Sequence, residues 1–219
     1  MWSAGFAPRK PTAGRPQALR LGFTLSPGMR VGLYGGSFNP VHAGHAHVAE
    51  TACARLGLDR VIWLVSPQNP LKPARGMAGA AERLGAARAF ARGPSMTVSD
   101  VERRLNSPYT IDTLRLLKAR FPGVRFIWLM GADGLAGFHR WRGWADILRE
   151  LPVAVVARPG ETLKALTSPA ARRFATARRP TSAAAKLVGA NPPAWVFLGA
   201  PLNFLSSTAL RDAALRTPI

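Results

Sequence analysis

Residues 30–47, RVGLYGGSFNPVHAGHAH, decide the fold and hold the first candidate site residues. RVGLYGG has the short apolar pattern of a buried strand, and HAHVAETACARLG, from His45 onward, has the apolar spacing of a helix. A glycine-rich loop between a strand and a helix lets backbone N–H groups point at a phosphate, which the helix dipole favours. Gly35 and Gly36 suit that role. The stretch therefore predicts a strand–loop–helix unit with an anion site at its centre.

The glycines alone do not decide between a phosphate site and a tight turn. The stretch matches neither the G-x-G-x-x-G dinucleotide fingerprint nor the P-loop pattern. The histidines add more. His42 and His45 are three apart, so in a helix that begins near Val41 they share one face of its first turn.

Three interpretations of the histidines are open: metal ligands, structural residues or phosphate ligands. A zinc site needs a third and usually a fourth protein ligand, and His47 points elsewhere around the helix. We therefore predict no protein metal site. The pattern favours a cationic, hydrogen-bonding cradle for phosphate at the helix start.

Outward from this unit, apolar strand-like segments alternate with helix-like segments. Such alternation is typical of a parallel sheet covered on both faces. We predict an α/β fold, doubly wound, with a mainly parallel sheet and helices on both faces, in which ligands bind beyond the carboxyl ends of the strands. The further predicted strands cover 60–66, 96–100, 124–131, 153–160 and 194–200, and the further helices cover 80–92, 109–121, 144–152, 161–186 and 206–216.

Length and composition predict one folded domain. The chain has 219 residues, of which 47% are hydrophobic, enough to bury a core. Residues 1–28 carry several prolines and basic residues and no acid, so we expect a disordered extension before a single domain at 29–219. With a single cysteine there is no disulfide framework.

The formal net charge of +19 suits either a nucleic-acid binder or an enzyme for polyanionic small molecules. The chain lacks an aromatic-studded basic stripe, which speaks against nucleic acid. No apolar run approaches the length of a membrane span, so we expect no membrane partner and a cytoplasmic location. A homo-oligomer is compatible with the sequence, which does not define the oligomeric state.

Two motifs carry a family resemblance. GGSFNPVHAGH resembles the G-x-[ST]-F-[DN]-P-x-H-x-G-H signature of the nucleotidyltransferase superfamily that makes dinucleotide cofactors, and LSSTALR resembles its second motif, I-S-[ST]-T-x-[IL]-R. Three further segments, PQNPLK, SPYTIDTL and FIWLMGADGLAGFHRW, are similar to bacterial nicotinate-nucleotide adenylyltransferases. The likeness covers Met29 to Arg216, with Ser37 in place of a commoner threonine and a proline inserted before Tyr109. It implies a Rossmann-like nucleotidyltransferase fold.

The resemblance implies a reaction. The 5′-phosphate of nicotinate mononucleotide attacks the α-phosphorus of ATP, giving the deamido dinucleotide and pyrophosphate for NAD biosynthesis. A phosphate monoester has a second pKa of about 6, so this nucleophile is mostly ionised at neutral pH and needs no general base. The site must instead align two anions and stabilise charge on the transferring phosphate. Mg²⁺ is expected, bound mainly through substrate phosphates.

Catalytic residues are implied in the same way. His42 and His45 would hydrogen-bond the triphosphate, Lys72 would neutralise charge beside the reacting phosphates, and Arg211 would grip the β- and γ-phosphates. The remaining residues that the resemblance implies bind ATP are Gly35, Gly36, Ser37, Phe38, Asp133, Ser207 and Thr208.

The acceptor side rests on four residues. The backbone N–H groups of Tyr109 and Thr110 would receive the nicotinate carboxylate, Trp141 would stack on the ring, and Arg158 would lie near a nucleotide. Each of three residues also has a purely structural interpretation. Trp141 would pack in the core or on the surface, Arg158 would be a solvated loop residue, and Asp133 would cap the following helix.

Other functions remain open too. Another phosphorylated acceptor, nicotinamide mononucleotide or phosphopantetheine, would use the same chemistry. A relative that has lost catalysis and binds nucleic acid would show steeply salt-dependent binding and no pyrophosphate release.

Overall fold

The computed structural model describes residues 24–67, 77–105, 107 and 109–199. Within them, seven strands form one sheet in which every neighbouring pair is parallel. This confirms the doubly wound α/β fold. In chain order the strands are β1 (Arg30–Gly36), β2 (Arg60–Val65), β3 (Met96–Ser99), β4 (Arg125–Gly131), β5 (Val153–Val156), β6 (Arg178–Arg179) and β7 (Trp195–Leu198).

Helices cover both faces of the sheet, and the central strands are therefore buried on both sides. In chain order the helices are α1 (Ala43–Leu56), α2 (Ala80–Phe90), α3 (Val101–Arg104), α4 (Thr110–Arg120), α5 (Ala132–Gly137), α6 (Trp144–Glu150), α7 (Thr162–Leu166), α8 (Pro169–Arg173) and α9 (Ala184–Leu187). Buried side chains of α1, α2 and α9 pack on one face, and those of α4, α5, α6, α7 and α8 pack on the other.

In the strand order β3-β2-β1-β4-β5-β7-β6, the chain adds strands outward on one side of β1 and then on the other, so the topological switch point lies between β1 and β4. Leu33 of β1 lies opposite Ile62 of β2 on one side and Trp128 of β4 on the other. A crevice opens at such a switch point, beyond the carboxyl ends of the strands. The loop that begins at Ser37 leaves the carboxyl end of β1 at that crevice.

The prediction of continuous helix over 161–186 is wrong. The segment is broken into α7, α8, β6, the start of α9 and two 3₁₀ turns at 175–177 and 181–183. Pro169 has no N–H to extend α7, and it begins a new helix that Ser168 caps. The helix predicted at 206–216 lies outside the described residues.

The start of the domain stays a prediction, since residues 1–23 lie outside the described part of the chain. Leu25, four residues before the predicted boundary, is buried in the core cluster on the α4 side. Gly28 N–H donates to the Gly123 carbonyl at 2.8 Å. The packed unit therefore includes residues just before Met29. In the described ranges, no helix has the length and apolar character needed to cross a bilayer.

Candidate active site

The histidines lie at the start of α1, which begins two residues later than the predicted start near Val41. Ala43 is its first residue and His42 is the N-cap, with an extended backbone (φ −154°). Gly44 N–H donates to Nδ1 of His42 at 3.1 Å, and His42 N–H donates to Nδ1 of His45 at 3.2 Å. The two histidines thus form a capping box, a role that serine and glutamate fill elsewhere. Their ring centroids are 4.0 Å apart.

This capping fixes the tautomer of both rings. A neutral imidazole carries one proton, and an Nδ1 that accepts a hydrogen bond leaves that proton on Nε2. His42 is buried, and its Nε2 has no hydrogen-bond partner among the described residues. A buried donor without a partner is the feature expected where a ligand atom binds.

His42 is neutral rather than cationic. Burial, and then the positive charge of Arg158, lower the pKa of His42 to about 4, against a smaller opposing effect of Asp133. The predicted cationic cradle is therefore wrong for His42 in the free protein. Its Nε2–H is a neutral donor at physiological pH.

Arg158, which follows β5, contacts both α1 and α5 at the crevice. Its Nη2 donates to the Gly44 carbonyl in the first turn of α1 at 3.1 Å, and its Nε lies 3.4 Å from an Asp133 carboxylate oxygen. The positive charge of Arg158 also acts on the buried Tyr34 of β1, where it opposes the effect of burial on the pKa of the hydroxyl. Arg158 is 8% exposed, so the reading as a solvated loop residue is wrong.

Asp133 does not cap α5. The N-cap is Gly131, which receives no side-chain cap bond, and Asp133 lies in the first helical turn. Its carboxylate is 57% exposed while its Arg158 partner is 9% exposed. A Cβ on Gly131 would crowd both Asp133 Oδ1 and Arg158 Nε, at 2.5 and 2.9 Å. Glycine at 131 therefore lets this pair form, with the Asp133 carboxylate partly exposed.

Gly35 and Gly36 are the last two residues of β1, rather than loop residues, and they have packing roles. A Cβ on Gly35 would overlap the Trp128 ring, and one on Gly36 would come within 3.0 Å of the Phe38 ring. Burial raises the pKa of the Tyr34 hydroxyl beside them. Phosphate binding by the glycine N–H groups stays a prediction.

Ser37 and Phe38 form the turn that leads to the histidines. Ser37 is buried, and its carbonyl accepts from Nη1 of Arg83 at 2.9 Å. Phe38 is held in the left-handed backbone region (φ 47°), which is uncommon for a residue other than glycine. Its ring centroid is 5.1 Å from those of both His45 and Trp63. Phe38 therefore packs beside a phosphate-binding candidate.

Three of the four predicted acceptor residues, Tyr109, Thr110 and Trp141, lie on the α4 side of the sheet, opposite α1, whereas Arg158 contacts α1. Tyr109 is the N-cap of α4, but its N–H donates to Ser107 Oγ at 3.3 Å, so that amide is already engaged. Thr110 is the first helical residue. Trp141 is partly buried, 6.3 Å from Trp128 and 5.4 Å from Phe138 between ring centroids, in edge-on contacts. The packing interpretation of Trp141 is therefore confirmed, and stacking on a pyridine ring stays a prediction.

Sequence reasoning missed three residues of this region. Tyr34 and Arg83 are buried and contact the site. In the sequence, Tyr34 is one more apolar residue of a strand and Arg83 is one of many arginines in a helix, so neither position indicates a function. Arg142 lies with its guanidinium carbon 4.3 Å from the Tyr109 ring centroid, so it brings positive charge to the acceptor side.

Four predicted ligands, Lys72, Ser207, Thr208 and Arg211, lie outside the described residues. Across the portion that the structure describes, no group of three or more histidine, cysteine, aspartate or glutamate side chains could hold a metal ion.

Comparison with known proteins gives one family. Residues 33–213 match the cytidylyltransferase-like family. A relative from Caulobacter sp. (strain K31), named "Probable nicotinate-nucleotide adenylyltransferase", is 68% identical over 84% of this chain and 97% of its own length. Relatives of the same name from Cereibacter sphaeroides (strain ATCC 17025 / ATH 2.4.3) and Parvibaculum lavamentivorans are 56% and 50% identical, covering 84% and 86% of this chain and 97% and 94% of theirs.

Solved structures share the fold. Plasmodium falciparum nicotinic acid mononucleotide adenylyltransferase, complexed with APC, superposes with a TM-score of 0.60 at 15% identity, covering 84% of this chain and 83% of that one. The same protein complexed with NaAD gives a TM-score of 0.59 over 83% of this chain and 82% of that one. The fold, the two motifs and the level of identity agree: the chain belongs to the cytidylyltransferase-like family and, within it, to the nicotinate-nucleotide adenylyltransferases.

Proposed function

We propose that this protein transfers the adenylyl group of ATP to nicotinate mononucleotide, forming nicotinate adenine dinucleotide and pyrophosphate. The observation that carries the proposal is the histidine capping box at the switch point of the sheet. It holds two imidazoles with Nδ1 bound to backbone, so that each Nε2–H is a donor. Membership of the nicotinate-nucleotide adenylyltransferases supports the choice of substrates.

The chemistry asks for donors rather than a base. A phosphate oxygen of the mononucleotide forms a bond to the α-phosphorus of ATP, and the bond from that phosphorus to the bridging oxygen breaks as pyrophosphate leaves. The nucleophile is already ionised near neutral pH. A pKa of about 4 also makes His42 a poor proton acceptor there, so His42 serves as a neutral hydrogen-bond donor. His42 and His45 would stabilise charge on the phosphate oxygens in the transition state.

Arg158 and Asp133 form an ion pair next to the first turn of α1, which carries the two histidines. Arg158 holds the Gly44 carbonyl, and so holds the first turn of α1 against the end of β5. We propose that the Asp133 carboxylate accepts a bond from a ribose hydroxyl, and its exposure supports this role. Lys72, Arg211, Ser207 and Thr208 are proposed as phosphate ligands on the resemblance of their motifs alone.

On the acceptor side, we propose that Trp141 packs against the pyridine ring and that Thr110 N–H meets the carboxylate. The Tyr109 N–H already donates to Ser107 Oγ, so we assign the contact with the carboxylate to Thr110 alone. The charge of Arg142 beside Tyr109 favours an acid over a neutral amide.

We further propose that Mg²⁺ takes part, bound mainly through substrate phosphate oxygens and water. The described site offers the Asp133 carboxylate, paired with Arg158, and no cluster of ligands, which fits an ion that the substrate itself carries. When bound, such an ion would offset phosphate charge.

Pyrophosphate release from ATP plus nicotinate mononucleotide tests the proposal with variants of His45. His45→Ala removes both the capping contact and the Nε2 donor, whereas in His45→Gln the amide oxygen can still accept from the His42 N–H and the amide N–H₂ group can still donate. We expect His45→Ala to lower kcat by about 10²-fold, and His45→Gln to keep wild-type stability and to lose less activity than His45→Ala. Near-normal turnover in His45→Ala would refute the role of the donor.

A further inference from the structure

Arg83 is a buried cation that the proposed mechanism does not use. It lies in α2, is 2% exposed, and no carboxylate pairs with it among the described residues. Burial lowers the pKa of Arg83. A buried guanidinium without a counter-ion is costly unless its N–H groups are satisfied, so the position calls for an explanation.

Backbone carbonyls supply that compensation. Nη1 donates to the carbonyls of Ser37 at 2.9 Å and Ser66 at 2.8 Å. Nη2 donates to the Pro67 carbonyl at 2.7 Å, and Nε donates to the Ala78 carbonyl at 3.0 Å. One planar side chain thus joins the loop after β1, the loop after β2 and the start of α2.

The Ser37 bond connects Arg83 to the candidate site. Ser37 precedes Phe38, which has a left-handed backbone (φ 47°). Such a conformation persists only where the surrounding contacts hold it, and here the Phe38 ring packs on His45 and Trp63. The Phe38 ring packs edge-on against the His45 ring, with centroids 5.1 Å apart. A second bond between the same segments, from Ala78 N–H to Asn39 Oδ1 at 3.2 Å, fixes the other side of the turn.

We propose that Arg83 is a positioning residue, which fixes the Ser37–Phe38 turn against His45 and thereby sets where the His45 donor lies during adenylyl transfer. The inference rests on the proposed function. Arg83 itself is too buried to touch substrate, so it acts through Phe38. A small displacement of a catalytic donor is enough to lower a rate substantially.

Arg83→Lys tests this with the charge kept. A lysine ammonium has three donors on a flexible stem and cannot reproduce the fork that spans four carbonyls. We expect Arg83→Lys to fold, to lower kcat by about 10-fold or more, and to leave the KM for nicotinate mononucleotide within about threefold of wild type. Arg88→Lys, at an exposed position on the same helix, is the matched control and should change neither constant.

A double-mutant cycle separates positioning from a general effect on the fold. If Arg83 acts through His45, Arg83→Lys should cost less than about threefold in kcat when His45 is already alanine. Multiplicative losses in the double variant would overturn the proposal, as would a folded Arg83→Lys enzyme with wild-type kcat.

Two other outcomes are also decisive. An Arg83→Lys chain that fails to fold, judged by near-UV circular dichroism, would make Arg83 a requirement of the fold itself and contradict the positioning role. A wild-type protein that releases no pyrophosphate would instead refute the proposed function, which keeps the two failures apart.

Discussion

At the scale of single residues, the two ring nitrogens of His42 differ in their hydrogen bonding. Nδ1 caps the helix by accepting from Gly44 N–H, and this leaves the proton on the buried Nε2. The spacing of His42 and His45 predicted a shared face beside a helix start. It did not predict the neutral charge, because the pKa of His42 is lowered first by burial and then by Arg158, which is 116 positions along the chain from His42 and reaches α1 only in the folded sheet.

Gly35 gives a prediction about packing at this scale. A Cβ at position 35 would overlap the Trp128 ring, so we expect Gly35→Ala to destabilise the protein by about 1–3 kcal/mol in urea unfolding. Gly85→Ala is the control: it lies in α2 with nothing within 4 Å, and should stabilise by about 0.5–1 kcal/mol. The smaller Trp128→Phe ring should recover part of the loss at position 35. A Gly35→Ala protein as stable as wild type would show that the contact is unimportant.

At the scale of elements, hydrophobic pattern predicted the strands that build the site. β1, β2, β4 and β5 are continuous apolar runs, and such runs are typical of strands buried on both faces. Short elements were missed. α5 has two glycines in six residues, and β6 has only two residues, both arginine, so neither carries a periodic signal. They form because β4 and β7 are already in place beside them.

Helix α3 carries a second buried charge, and its effect depends on pH. Glu102 is 4% exposed, and burial raises its pKa to about 7. Because this lies above the unfolded value of about 4.3, its contribution to stability is present at low pH and is lost as pH rises toward and through 7. We expect Glu102→Gln to be more stable than wild type at pH 8, by about 2–4 kcal/mol, and to show little gain near pH 4.5.

Urea unfolding of the two proteins at both pH values measures this difference. Glu82→Gln, at an exposed position of α2, is the control and should change stability little at either pH. A Glu102→Gln protein that is less stable at pH 8 would mean that the ionised carboxylate has stabilising partners.

At the scale of the whole molecule, two truncations test the extent of the folded unit. Removing residues 1–23 should leave activity and the unfolding temperature unchanged. Removing residues 1–28 also removes buried Leu25 and the bond from Gly28 to Gly123, so we expect a loss of about 2 kcal/mol of stability. Equal stability of the two truncated proteins would contradict the packing role of Leu25. A large loss of activity on removing 1–23 would place that segment in the site or the assembly.

The central claim, adenylyl transfer to the acid mononucleotide, is tested most directly by comparing two acceptors. Dinucleotide formation with ATP and Mg²⁺ is measured by chromatography, with nicotinate mononucleotide and nicotinamide mononucleotide supplied in separate reactions. We expect kcat/KM for the acid to exceed that for the amide by about 10-fold or more, since one charge–donor contact differs between them. Equal values for the two acceptors, or product from neither, would contradict the assignment.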